Sequence, residues 1–239
     1  MLKFISILLV FCTSLMAHPI PVFHPPCDWE CALPENHSPF VQVGFVGKGS
    51  SAFRPSINLA IEDIEISAQQ YLKAVKEIHT ADPGTTWRDL GKISTSAGEG
   101  RLTEITTRTS VGEVKMLQMI LVKEKKAYIL TGATIKADYL KLQDLLTKTF
   151  KSFSLLPTLL SPASTDHAEQ ITELFSAIGE NVPDLIEKQK AARWERLQEI
   201  VLKESPRLGK YWQFLVLSEG YEKIYHNHKS AHLEQERNP

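Results

Sequence analysis

The stretch Glu113-Val-Lys-Met-Leu-Gln-Met-Ile-Leu-Val-Lys123 decides the fold. Val114, Met116, Ile120 and Val122 fall on one side of an extended chain, and Leu117, Met119 and Leu121 on the other. Successive side chains of a strand point to opposite faces. A strand that is apolar on both sides is therefore central and covered on both faces. Residues 87–97, 101–110 and 127–134 read as its companions, separated by Gly98-Glu99-Gly100, Val111-Gly112 and Glu124-Lys125-Lys126. Connections that short join antiparallel neighbours, so the four strands form a meander. The Thr-rich second member is expected to be half exposed.

The pattern extends outward on both sides. Val41-Gln-Val-Gly-Phe-Val alternates like a strand, and Ser56-Ile-Asn-Leu-Ala-Ile-Glu-Asp-Ile places Ile57, Leu59 and Ile61 on one face. Ser67 caps a helix with Tyr71, Leu72, Val75 and Ile78 at helical spacing, stopped by Asp82-Pro83-Gly84. Residues 138–150 give a second helix, with Leu142, Leu145, Leu146 and Phe150 as its apolar stripe. The fold class is α+β: an antiparallel sheet of about six strands flanked by helices.

This order of elements resembles the PsbP-like (also DcrB-like) family. The resemblance rests on Arg54-Pro55-Ser56 before a strand, a Gly-rich turn between meander strands, Ala-Tyr-Ile-Leu-Thr-Gly (127–132), and a closing helix ending in Phe before Lys-Ser-Phe (151–153). It covers residues 41–155 and lies in pattern rather than in an invariant motif. It implies a sandwich of sheet and helices, and an exported binding or assembly role without catalysis. Members attach to large complexes or sit in cell envelopes, and they share no active-site motif to transfer. The Cys-containing arm and the long C-terminal segment are departures from the simplest members.

Residues 18–40 contain six prolines, each lacking an N–H and fixing φ. They read as an extended arm, laid on the domain through Phe23 and Trp29. Leu155-Leu-Pro-Thr-Leu-Leu-Ser-Pro-Ala-Ser is a linker. Residues 163–228 then read as a helical extension of about three helices, followed by a polar tail, 229–239. Its first helix has Asp166-x-x-Glu169 as a capping box and Ala168, Ile171, Leu174, Phe175 and Ile178 as its stripe. Asn181-Val-Pro183 starts the second, with Ile186, Trp194, Leu197 and Val201 on one side. Ser205-Pro206 starts the third. Residues 211–217 are aromatic and β-branched enough to suit a strand, although the Ser-Pro start and the length favour a helix.

The N-terminus sets the compartment. Lys3, the apolar run 4–15 and the small Ala17 make residues 1–17 a secretory signal peptide. The run is shorter than the roughly 20 residues a membrane span needs. The expectation is export to the periplasm, cell envelope or exterior, with a mature chain starting at His18. The alternatives are a retained anchor, a buried first helix, or a lipid-bearing Cys12, which the bulky Phe11 before it disfavours. The mature chain has 26 basic and 28 acidic residues, unevenly placed: +4 over 43–155 and −3 over 156–239. So dilute a basic excess excludes a nucleic-acid footprint.

Cys27-Asp-Trp-Glu-Cys31 is not a redox C-x-x-C, and its acids oppose a low thiol pKa. In an exported chain a local disulfide between Cys27 and Cys31 is expected. His24, Cys27, Cys31 and His37 could instead ligate zinc, but the spacing fits no standard finger. His226, His228 and His232 form a second histidine-rich patch, read as a solvated tail. Gly44-Phe-Val-Gly47-Lys-Gly49-Ser-Ser lacks the phosphate-loop order and precedes a strand. Glu62, Asp63 and Glu65 have no partner nucleophile in view. No catalytic residue, cofactor or metal is expected. The densest aromatic group is Tyr211, Trp212, Phe214, Tyr221 and Tyr225, with Trp194. It either welds the helices together or, through Tyr211, Trp212 and Tyr221, binds a partner protein. The alternative to a binding protein is a hydrolase or metal-dependent enzyme whose site is scattered through the sequence.

Overall fold

The computed structural model describes residues 19–32, 37–48, 53–176 and 183–226. The expected signal peptide, the polar tail, and His228 and His232 lie outside those residues. The elements begin with β1 (Ile20–Val22), β2 (Glu30–Cys31), β3 (Val41–Val46), β4 (Ser56–Asp63) and α1 (Ala68–Thr80). The meander follows as β5 (Thr86–Thr95), β6 (Gly98–Thr109), β7 (Gly112–Lys123) and β8 (Lys126–Ile135). A short 3-10 turn (Lys136–Asp138) leads into α2 (Tyr139–Lys151), then β9 (Ser154–Leu156), α3 (Thr165–Phe175) and α4 (Pro183–Tyr221).

Seven strands form one antiparallel sheet in the order β2-β3-β4-β8-β7-β6-β5. Because β4 pairs with β8, the chain must pass the positions of β8, β7 and β6 before β5 can begin at the far edge. Helix α1 makes that crossing. Its Ser67 cap is a full capping box, Ser67 Oγ accepting from Gln70 N–H while the Gln70 side chain accepts from Ser67 N–H.

The two-sided pattern of β7 separates the faces as its apolar positions require. Leu117, Met119 and Leu121 meet Leu146 and Phe150 of α2 in the main core. Ile120 lies on the α1 side with Tyr71, Ala127 and Ile129. The middle of β6 is not half exposed: Thr103, Glu104 and Ile105 are buried, with Arg88 and Lys115 closing over Glu104. The β5–β6 turn is Ser96-Ala97 rather than Gly98-Glu99-Gly100, with Thr95 Oγ1 donating to Gly98 O at 2.8 Å. Gly100 lies within the strand, where a Cβ would sit 3.2 Å from Ile120 O. It serves close packing rather than turning.

Arm and linker are structured together. β1 pairs with β9 in a separate two-stranded ribbon, and β2 extends the sheet edge beside β3. Pro21 can occupy β1 because a two-stranded ribbon leaves its missing N–H on an open side. Phe23 and Trp29 are buried in the main core. The segment Leu155-Leu156, read as linker, is part of β9 and packs on both apolar clusters, as Ile20 does in part.

The C-terminal helices form the second cluster, built on Ile171, Leu197, Val201, Trp212 and Val216. Helix α3 is capped by Ser164, whose Oγ accepts from His167 N–H, and not by Asp166. Helix α4 is broken at Gly209, with φ 84° and ψ 164°. The expected break at Ser205-Pro206 lies three residues further on: Pro206 is carried within the helical run with the loss of one hydrogen bond and a ring–carbonyl clash, and the chain turns at Gly209, since glycine reaches positive φ at no steric cost. Beyond the break the second limb doubles back. Ser205 Oγ donates to Gln213 Oε1 at 2.9 Å, and a Cβ at Gly220 would lie 2.2 Å from Leu197 Cδ2. Residues 211–217 are helical. Among the described residues no helix is long and apolar enough to cross a membrane.

Candidate binding surfaces

The three aromatics expected to meet a partner go to different places. Trp212 is fully buried, and its Nε1–H donates to Leu159 O at 2.8 Å. Tyr211 is 4% exposed, with its ring 5.1 Å from Phe23 and 6.2 Å from Phe45. Burial and the nearby Cys31 push its hydroxyl up to about 12. Both are core residues, and neither is available to a partner. Adjacent positions on a helix point about 100° apart, so Tyr211 faces the sheet while Trp212 faces α3.

Tyr221 is 46% exposed. Its ring lies 5.7 Å from Trp194 and 4.9 Å from Tyr225, and Trp194 is 6.3 Å from Tyr225. The hairpin at Gly209 creates this triad by laying residue 194 of the first limb against residue 221 of the second. Offset and edge-on aromatic contacts of this kind stabilise by about 0.5–1.5 kcal/mol beyond burial. Beside the triad, Phe175 carries Lys223 over its ring at 5.4 Å. Phe175 also lines an open groove of about 470 Å³ with Ile20, Pro157 and Leu160, rimmed by Glu219. The sequence showed the aromatics but not the fold-back, so Phe175 and the groove could not be read with them.

A second surface lies under α1. Ile120 and Ile129 of the sheet and Ala74 and Val75 of the helix wall a cleft of about 280 Å³. Tyr71 OH donates to Glu62 Oε2 at 2.7 Å across its mouth. Burial and that carboxylate push the Tyr71 hydroxyl upward, so it stays a donor. Gln118 Nε2 donates to Thr131 Oγ1 at 3.3 Å, while Gln118 Oε1 is buried without a partner. His79 lines the same cleft, and burial lowers its pKa. Ile78, expected in the apolar stripe of α1, is 72% exposed at the rim.

Two buried acids are held by ion pairs. Glu104 meets Arg88 and Lys115, each at 3.0 Å, and Lys115 Nζ sits 4.4 Å above the Tyr139 ring. Glu204 accepts from Ser164 N–H at 3.1 Å, from His167 Nδ1 at 2.7 Å and from Arg207 at 2.6 Å. Burial alone would raise the Glu204 carboxyl. The His167, Ser164 and Arg207 hydrogen bonds outweigh it and hold the group at about 2. Both clusters pin elements together, and Ser164 Oγ in the second is engaged as the cap of α3.

The Cys27–Cys31 disulfide is not formed in the structure: both thiols are free and exposed. Cys31 is fixed opposite Phe45 by strand pairing, and a turn closed by Trp29 N–H to Pro26 O at 3.1 Å separates it from Cys27. His24, Cys27, Cys31 and His37 are not gathered. Among the described residues no group of three or more His, Cys, Asp or Glu side chains could hold a metal ion.

No protein-family model matches the chain, and no curated protein matches it. Solved structures to which it is similar include LpqN of Mycobacterium tuberculosis, described as involved in cell envelope biogenesis. That pair shares 14% identity over 58% of this chain and 84% of LpqN, with a TM-score of 0.44. Cyanobacterial PsbP of Synechocystis sp. PCC 6803 shares 12% identity over 62% of this chain and 98% of its own, with a TM-score of 0.39. The Ran-binding protein Mog1p of Saccharomyces cerevisiae shares 14% identity over 55% of this chain and 87% of its own, also at 0.39. These likenesses concern the fold.

Proposed function

We propose that the chain is an exported, non-catalytic protein that binds or assembles with another protein through the aromatic face of α3 and α4. The observation that carries this reading is the half-exposed Trp194–Tyr221–Tyr225 triad beside the Phe175 groove. Tyr and Trp are enriched in interface centres, where a rigid ring loses little conformational entropy on binding. The leader-like residues 1–17 support export.

The test is capture from the native envelope with the mature protein and with Tyr221→Arg as paired baits. A partner protein retained by the first and reduced at least tenfold on the second is expected, since arginine would bury an unpaired charge. Equal recovery on both baits contradicts the proposal.

A further inference from the structure

The arm, α2 and the α4 hairpin border an open cleft of about 590 Å³. That lies within the range of small-molecule sites. Lys148 of α2 and Lys210 of α4 both line it, and no Asp or Glu does. Neither lysine forms an ion pair among the described residues. Lys210 Nζ donates to Trp29 O at 3.1 Å, which steadies the ammonium group and leaves two of its three donors for another acceptor. Ser152 and Thr149 add polar edges at the end of α2, and Ser152 Oγ accepts from His24 N–H at 2.8 Å. The apolar part of the lining includes Leu145, Leu202 and Pro206. Leu145 is half-buried, Pro206 is exposed, and Leu202 is 60% exposed.

A cleft that joins two cations to apolar carbon and holds no acid suits one chemical class. We infer that the cleft binds a single-tailed amphiphile with an anionic head. The head would be held by Lys148 and Lys210 and the tail laid on Leu145, Leu202 and Pro206. The Gly209 break gives the cleft its shape. It turns the second limb across the arm, where a Cβ at residue 209 would already crowd the His24 ring at 3.0 Å. A carboxylate head, as in a free fatty acid, and a phosphate head, as in a lipid fragment, present the same chemistry to the two lysines. The site is independent of the aromatic face, because none of its lining residues belongs to the triad or to the Phe175 groove.

Calorimetric titration of the full chain with decanoate, decyl phosphate and decylamine, each below its micelle concentration, tests this. Saturable binding of at least one of the two anions is expected, with none for decylamine, and the tighter anion identifies the head group. Lys148→Glu should weaken that binding at least tenfold with its circular dichroism unchanged, because Lys148 is exposed. Lys92→Glu, on β5 and outside the cleft, should leave it intact. Absence of saturable binding for both anions overturns the inference, as does equal binding of decylamine or full affinity in Lys148→Glu.

Discussion

At the scale of single residues, Glu204 shows how a charge joins two segments. Its side chain is 7% exposed and ties the start of α3 to the first limb of α4 through Ser164, His167 and Arg207. The carboxyl sits at about 2 when folded against an ordinary value of 4.5. A depressed pKa contributes stability that is complete above the unfolded value and fades as pH falls through the folded one. Wild type should therefore lose up to about 3 kcal/mol between pH 4.5 and 2 from this group, at 1.36 kcal/mol per pKa unit. Glu204→Gln should be less stable than wild type at pH 7, and urea titrations of the two should converge toward pH 2. A constant gap across that range would show that the charge does not matter. None of this was legible in the sequence, where Glu204 is one acid among 28 acidic residues. Trp212 was legible as core or contact, and only its seat against Leu159 O decides for core.

At the scale of elements, the sheet and its helices were readable because their patterns are periodic. The two-sided run of β7, the Ser67 cap and the leucine stripe of α2 each follow from local chemistry. What could not be read depends on distant partners. β1 and β9 are three residues each and become strands only by pairing across the chain. The α4 break was displaced because Pro206 and Gly209 both signal interruption, and only the fold shows which backbone needs positive φ. Gly209→Ala should cost about 1–3 kcal/mol, since an L-residue at φ 84° is strained and the new Cβ meets the His24 ring. A denaturation midpoint equal to wild type would show that the limb can turn without glycine. The same break builds both candidate sites, since it brings Trp194 to Tyr221 and carries Lys210 to the arm.

At the scale of the whole molecule, the sandwich and the C-terminal helices share material. Tyr211 of α4 enters the main core with Phe23 of the arm, while Ile20 and Leu156 of the ribbon touch both clusters. The arm and the extension therefore pack against the sandwich rather than standing apart from it. A rigid aromatic surface loses less entropy on association than a loop would. Site-specific photocrosslinking tests the central claim most directly. A photoreactive phenylalanine analogue at position 221 is compared with one at position 140, where Leu140 is 81% exposed on α2. The account predicts, in the native envelope, a covalent adduct with a second polypeptide from position 221 and none from position 140. No adduct from position 221, or the same adduct from both positions, would contradict it.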